Sequence, residues 1–222
     1  MIKIYKFVFN IFQENTFLAC DSDSEACAII DPGCSSGRER EILHNFIEQK
    51  GLKPCVILLT HAHMDHMLGV KDCVERYGIP VYMNHNEIQS IEGYNPSYAH
   101  LGFKAEPMTP YIDAEDGCCV EVGSLKARAL FTPGHSMGGL CWWFEKEGII
   151  FTGDTLFAGC IGRTDNKWAS LDILKKSLNE VLMTLDGEIE VYPGHGPSTT
   201  IGHERLTNPF INEQFGDLGY EN

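Results

Sequence analysis

Apolar and polar residues alternate through IKIYKFVF near the N-terminus, which predicts a half-buried β-strand. Two further β-like runs follow, NTFLAC and EACAII. Short runs rich in β-branched and aromatic residues recur later in the chain, and they are predicted as strands as well. These runs are PCVILLT, IPVYM, CCVEVG, LKARALF, LCWWFE, GIIFTG and IEVY.

Apolar residues recur at helical spacing in four other segments, so helices are predicted over 36–50, 68–77, 170–185 and 198–212. Residues 84–117 mix glycine, proline and aromatic residues without a period, and we predict a partly irregular excursion there. The resulting order of strands and helices suits an α/β fold in which two sheets are covered by outer helices. The length of 222 residues favours a single domain over 1–222.

The charge balance narrows the classes of partner. The chain has 17 Lys+Arg against 31 Asp+Glu, a formal net charge of −14. A strongly acidic surface argues against nucleic-acid and anionic membrane partners, whose phosphates attract basic residues. The chain has no apolar run long enough to span a bilayer, and its N-terminus lacks the features of a signal peptide. We therefore expect a cytoplasmic protein.

The nine cysteines are consistent with that location. Their number is odd, no C-x-x-C motif occurs, and several lie inside apolar runs such as PCVILL. A disulfide framework or a cysteine zinc site would show closer pairing, so we expect buried free thiols in a reducing compartment.

A potential metal ligand follows directly after each of four β-like runs. VILLT precedes His61, ARALFTPG precedes His135, GIIFTG precedes Asp154 and EIEVYPG precedes His195. The ends of strands in layered sheets tend to open on a common crevice, so these four side chains are expected to meet if the strands are neighbours.

The stretch LLTHAHMDHMLG adds three more ligand types beside His61, and the combined set suits two ions. The first ion is predicted to bind His61, His63 and His135, the second is predicted to bind Asp65, His66 and His195, and Asp154 is predicted to bridge both. Two divalent ions can share a water and lower its pKa towards neutrality. Imidazole and carboxylate ligands suit zinc, which we expect, and also iron or manganese. The other histidines, His44, His85, His100 and His203, belong to no such motif and are expected to be structural.

Five motifs in this order resemble the signature of the metallo-β-lactamase fold superfamily: IIDPG, THAHMDH, TPGHS, FTGDTLF and YPGHG. The resemblance implies an αββα sandwich with a two-metal site at one edge of two mixed sheets flanked by helices. It implies the same seven ligands, with Asp65 and Asp154 as the carboxylates of catalysis. Asp31 matches a motif that supports the metal loop from the second shell.

Within the superfamily, GDTLFAGCIGRTD resembles the glyoxalase II group, which hydrolyses glutathione thioesters. The resemblance places Arg163 where that group carries a basic substrate-binding residue, although a structural salt bridge is an equally open reading. The chain lacks the basic C-terminal helical extension of full-length glyoxalase II and is similar instead to shorter bacterial hydrolases of that type. The predicted function is dinuclear hydrolysis of a small-molecule thioester or related acyl substrate.

Three other functions remain open at this point. A persulfide dioxygenase of the same fold would use one iron, held here by His61, His135 and Asp154. A lactonase or phosphodiesterase would use the two-metal site on another bond, although the acidic charge argues against nucleic-acid cleavage. A non-catalytic binding module would not explain so complete a set of ligands. The sequence predicts neither the oligomeric state nor the thiol carrier.

Overall fold

The computed structural model describes residues 1–89, 91 and 110–212, and it contains two six-stranded mixed sheets. In spatial order, the first sheet consists of β1 (Ile2–Phe9), β2 (Glu14–Asp21), β3 (Ala26–Ile30), β4 (Lys53–Leu58), β5 (Val81–Met83) and β6 (Ile112–Asp113). The second consists of β14 (Thr199–Thr200), β13 (Glu190–Pro193), β10 (Ile149–Gly153), β9 (Leu140–Phe144), β8 (Leu125–Phe131) and β7 (Cys119–Val122). A separate hairpin pairs β11 (Leu156–Phe157) with β12 (Cys160–Ile161).

Helices pack on the outer faces of both sheets. The first sheet is covered by α1 (Gly37–Gln49) and α3 (Val70–Tyr77), with the single turn α2 (Met64–Met67) before α3. The second sheet is covered by the helices Leu171–Lys176 and Ile201–Thr207. This arrangement confirms the predicted αββα sandwich of two mixed sheets flanked by helices.

The alternation of side chains along β2 shows how one strand serves two cores. Phe17 points between the sheets and packs in the same cluster as Trp142 of the second sheet. Leu18 points to the opposite face and packs in the cluster that contains Leu43 of α1. Successive residues of a strand face opposite sides of the sheet, so the middle of β2, which is covered on both faces, is apolar at each position from Phe17 to Cys20.

Two predicted helices differ from the observed ones. The segment predicted over 198–212 is helical only at Ile201–Thr207, because Thr199–Thr200 pairs with β13 as β14 and Thr200 caps the helix. The segment predicted over 170–185 is helical over 171–184, and it passes from α-helix into π-helical and 3-10 turns at Ser177–Val181 and Leu182–Thr184.

The irregular stretch predicted at 84–117 is only partly visible, because residues 90 and 92–109 lie outside the described residues. The same holds for residues 213–222, so one domain over 1–222 stays a prediction. Among the residues that the structure describes, none of the helices combines the length and the apolar character that crossing a bilayer requires.

All nine cysteines are free thiols, as predicted. Five of them are buried, whereas Cys119 and Cys160 are exposed, so the expectation of burial holds only in part.

Candidate metal centre

Four strand ends converge at one edge of the sandwich. His61 follows β4 in the first sheet, and His135, Asp154 and His195 follow β8, β10 and β13 in the second. The pairing of β8, β9, β10 and β13 makes β8, β10 and β13 run in the same direction, so their carboxyl ends share an edge. The ligands therefore come from both sheets, and only β10 and β13, which lead into Asp154 and His195, are neighbouring strands.

The first group of ligands contains three buried imidazoles and one carboxylate. Its members are His61, His63, His135 and Asp154, whose ligand atoms lie within 4.8 Å of one another. Nδ1 of His63 lies 3.0 Å from Nε2 of His61 and 2.8 Å from Nε2 of His135. Nitrogens that bind zinc at about 2.0–2.1 Å in a tetrahedral site lie about 3.3 Å apart, so these atoms are placed to share one ion.

Burial determines the protonation of this first group. It lowers the pKa of His61 well below its usual value and, with the neighbouring His135, lowers the pKa of His63 to about 3. Burial also lowers the pKa of His135, although the charge of Asp154 opposes this. All three imidazoles are therefore neutral at pH 7, which is the form that coordinates a metal.

The second group consists of Asp65, His66 and His195, and it is more accessible than the first, because only His66 of its three members is buried. Nε2 of His195 lies 3.3 Å from Oδ2 of Asp65, and Nε2 of His66 lies 3.6 Å from the same oxygen. The side chain of His195 is 27% exposed, whereas that of His66 is fully buried.

In this second group, charge outweighs burial. Burial lowers the pKa of His66, but the charges of Asp65 and Asp154 raise it well above its usual value. For His195, burial is likewise outweighed by the hydrogen bond with Asp65 and the charge of Asp154, and its pKa is raised. Burial raises the pKa of Asp65, yet the charge of His66 and the hydrogen bond with His195 lower it overall. Without a metal, this group holds protons between ionised carboxylates.

Asp154 lies between the two groups. Its Oδ1 is 3.4 Å from Nε2 of His66, and its Oδ2 is 3.5 Å from Nε2 of His135 and 3.6 Å from Nε2 of His195. Nε2 of His66 and Oδ1 of Asp154 are buried and have no hydrogen-bond partner among the residues that the structure describes. A buried polar atom without a partner is costly, and a cation that binds both atoms would satisfy them. The residues therefore fit metal ions.

A glycine makes room for this convergence. A Cβ atom on Gly194 would lie 2.3 Å from Oδ1 of Asp154 and 2.6 Å from Cε1 of His66. Any side chain at this position would occupy the space between the two ligands, which explains why YPGHG places glycine directly before His195.

Asp31 contacts the ligand His66 and the residue before His61, and its supporting role stays a prediction. Its Oδ1 accepts the backbone N–H of Thr60 at 2.7 Å, and its Oδ2 accepts the hydroxyl of Thr60 at 2.6 Å. Nδ1 of His66 lies 3.0 Å from the same Oδ2. A carboxylate on the second nitrogen of an imidazole fixes the ring orientation and leaves Nε2 for the metal.

Sequence reasoning missed two residues that hold the ligand loops. The buried carboxylate of Glu87 accepts the N–H of Ala62 at 2.9 Å and the N–H of Gly138 at 2.6 Å, so it joins the loop of His61 to that of His135. Asn10, at the turn between β1 and β2, donates from Nδ2 to the carbonyl of Asp65 at 3.0 Å. Glu87 lies four residues beyond β5, so the strand-end rule that selected the ligands could have selected this segment too.

Arg163 is placed near the first group by its backbone. Its carbonyl oxygen accepts a hydrogen bond from Nδ1 of His135 at 2.8 Å, which orients that ring. Its guanidinium binds both carboxylate oxygens of Asp165 at 2.6 and 2.9 Å, with both side chains exposed. Arg163 therefore forms a salt bridge with Asp165, which was the alternative interpretation of this residue. Its role in substrate binding stays a prediction.

The remaining histidines lie outside both groups wherever the structure describes them. His44 is buried and contacts Asp72 and Tyr77, His85 pairs with Asp113, and His203 is exposed on the helix Ile201–Thr207. His100 lies outside the described residues.

Comparison with known protein families matches the description "Metallo-beta-lactamase superfamily" to residues 10–195. The probable metallo-hydrolase YqgX of Bacillus subtilis is 35% identical over 204 residues, which cover 90% of this chain and 93% of YqgX. Hydroxyacylglutathione hydrolase GloC of Haemophilus influenzae is 32% identical over 212 residues, covering 91% of this chain and 95% of GloC.

Two solved structures are similar over nearly the whole chain. The BLEG-1 B3 metallo-beta-lactamase superposes with a TM-score of 0.83 at 31% identity, covering 94% of this chain and 99% of BLEG-1. TTHA1623 in a di-iron-bound form superposes with a TM-score of 0.81 at 36% identity, covering 93% of this chain and 99% of TTHA1623.

Proposed function

The chain belongs to the metallo-beta-lactamase superfamily as a metallo-hydrolase, and we propose that it hydrolyses thioesters with two divalent metal ions. The observation that carries this proposal is the pair of ligand groups joined by Asp154. The similarity to a hydroxyacylglutathione hydrolase favours a thioester of the glyoxalase II type among the substrates that such a centre can hydrolyse.

The protein's own residues divide the work. His61, His63 and His135 would hold the first ion, Asp65, His66 and His195 would hold the second, and Asp154 would contribute to both. When bound, such ions polarise a carbonyl oxygen and make water nucleophilic near neutral pH.

Orientation and charge come from the protein. Asp31 holds the ring of His66, and the carbonyl of Arg163 holds the ring of His135. For Asp154, burial opposes ionisation, but the charge of the nearby His66 holds the pKa well below the usual range. Asp65 and Asp154 therefore stay ionised, and their oxygens can accept hydrogen bonds from water and orient it.

Zinc is our proposed metal, because three imidazoles with one carboxylate suit its four-coordinate geometry. Iron remains the principal competitor, since TTHA1623 carries two irons at 36% identity to this chain. We propose a small-molecule substrate without nucleic-acid or membrane partners, which the net charge of −14 supports. The nine free thiols support a cytoplasmic location.

The test combines elemental analysis of the purified protein with turnover of a panel of S-lactoylglutathione, a lactone, a β-lactam and a glutathione persulfide. We expect two metal ions per chain and a thioester as the preferred substrate. His63→Ala should lose metal and turnover together, whereas His203→Ala, which removes an exposed histidine outside both groups, should retain them.

Wild-type turnover by metal-free His63→Ala protein would refute the metal-dependent mechanism. Oxygen uptake with the persulfide and no thioester hydrolysis would instead establish the oxidoreductase alternative.

A further inference from the structure

A cavity of about 440 Å³ lies directly beside the second ligand group, because His195 forms part of its wall. The strands β1 and β2 and the turn between them supply Lys6, Val8, Phe12 and Asn15 to the same wall. Ligand pockets are commonly of this size and combine apolar walls with a few placed polar groups. The cavity can therefore hold a part of the substrate that extends away from the reacting bond.

Lys6 is the cation of this cavity. Its Nζ donates to the carbonyl of Gly196 at 2.6 Å, next to the ligand His195. No carboxylate of the described residues lies within salt-bridge distance of Lys6, whereas Asp165 neutralises Arg163. In a chain with a net charge of −14, an unneutralised ammonium beside the metal centre is a local site for an anion.

The cavity wall is tied to the metal ligands. Nδ1 of His195 donates to the carbonyl of Phe12 at 3.1 Å, which holds the turn against the second group. Asn15 is buried, and its Nδ2 donates to the carbonyls of Pro193 and Gly196 at 2.9 Å each. These bonds fix the position of the cavity relative to the reacting bond.

The same wall offers apolar contact and a further polar atom. Phe12 and Val8 are 36% and 54% exposed, so their side chains leave apolar surface for a ligand. Oδ1 of the buried Asn15 has no hydrogen-bond partner among the described residues, which leaves one acceptor for an N–H group.

We propose that this cavity is an anion subsite, in which Lys6 binds a carboxylate at the end of the substrate's non-reacting arm while Val8 and Phe12 contact the arm itself. This inference rests on the proposed thioester hydrolysis. It identifies the substrate class as thioesters whose non-reacting arm ends in a carboxylate. The cation that selects the substrate is then Lys6 of β1, and not Arg163.

The experiment compares two thioesters that share an acyl group, anionic S-lactoylglutathione and neutral S-lactoyl-N-acetylcysteamine, on metal-loaded protein. For Lys6→Gln we expect the KM of the anionic substrate to rise about tenfold, as for loss of one charge-assisted hydrogen bond at an exposed site. Its kcat and both constants of the neutral substrate should stay within about twofold. Lys3→Gln is the matched control, because Lys3 is exposed on the same strand but three residues away, and thus on the other face.

The outcomes separate the two proposals. If the wild-type protein hydrolyses neither thioester, the proposed function fails and the subsite fails with it. If it hydrolyses both, but Lys6→Gln changes the two substrates equally or not at all, only the anion subsite is refuted. Loss of the Lys6 effect at 1 M salt, where charges are screened within about 3 Å, would add support for an ionic contact.

Discussion

The two ligand groups differ in the protons that they hold before a metal arrives. In the first, burial lowers the pKa of His61, His63 and His135, so the imidazoles are neutral and ready to bind. In the second, carboxylates raise the pKa of His66 and His195, so a metal must displace protons. The comparison teaches that two ions in one centre need not bind with the same affinity or pH dependence, because burial governs one group and charge the other.

Removing the residue between the groups should have the largest effect. Asp154→Asn keeps the shape of the side chain but removes the charge and one oxygen acceptor shared with His66, His135 and His195. Lewis-acid stabilisation is worth several kcal/mol, so we expect kcat/KM to fall on the order of 10³-fold. Elemental analysis should show that the second ion is lost before the first. Asp165→Asn, which removes an exposed carboxylate, is the control, and full occupancy of both sites in Asp154→Asn would contradict this account.

The pH dependence of metal loading should sharpen the comparison. A histidine with a raised pKa keeps its proton to higher pH, so binding of the second ion weakens as pH falls, whereas His63, with a pKa of about 3, stays neutral. We expect about one ion per chain near pH 5.5 and two near pH 8 after dialysis against buffered zinc. Calorimetry in buffers of different ionisation enthalpy should show proton release chiefly with the second ion. Equal release with both ions would refute the distinction.

A change behind the first ligand group should have a smaller effect and should lower the metal affinity of that group alone. Glu87→Gln removes the charge that accepts two backbone N–H groups in the loops of His61 and His135. Burial raises the pKa of Glu87, and the hydrogen bonds from the backbone N–H groups of Ala62 and Gly138 offset this only in part. Outer-shell changes cost about 10–100-fold in metal affinity, and we expect a loss of that order for the first ion.

Asn10→Gly is the reciprocal control for Glu87→Gln. Glycine tolerates the positive φ of 51° at this position, while the bond from Asn10 to the carbonyl of Asp65 is lost. This variant should weaken binding of the second ion and leave binding of the first ion unchanged. If both variants weaken binding of the same ion, Glu87 and Asn10 do not support the two ligand groups independently.

Most of the strands and helices could be predicted from local sequence patterns, and the predictions that differ from the structure have physical causes. Alternating and short apolar runs predicted the strands, and helical spacing predicted two helices that begin after the N-cap residues Ser36 and Ser170 in the structure. The early part of the helix predicted over 198–212 became β14, because pairing with β13 overrode the helical spacing. Strand pairing is a long-range interaction that no local pattern contains.

The candidate site also has a part that the sequence predicts and a part that only the structure shows. The ligand types of His61, His63, Asp65 and His66 stand together in one loop and are visible in the sequence. The support from Glu87 and the cavity at Lys6 depend on contacts between residues far apart in the chain, so they emerged only in three dimensions.

The origin of the ligands in both sheets has a consequence for the lifetime of the protein. An ion held by His61 from one sheet and by His135 from the other resists the separation of the two halves, and binding to the folded state alone adds stability in proportion to the logarithm of free metal. Metal starvation would then remove the polypeptide as well as its activity, because the loosened sandwich is a better target for cellular proteases.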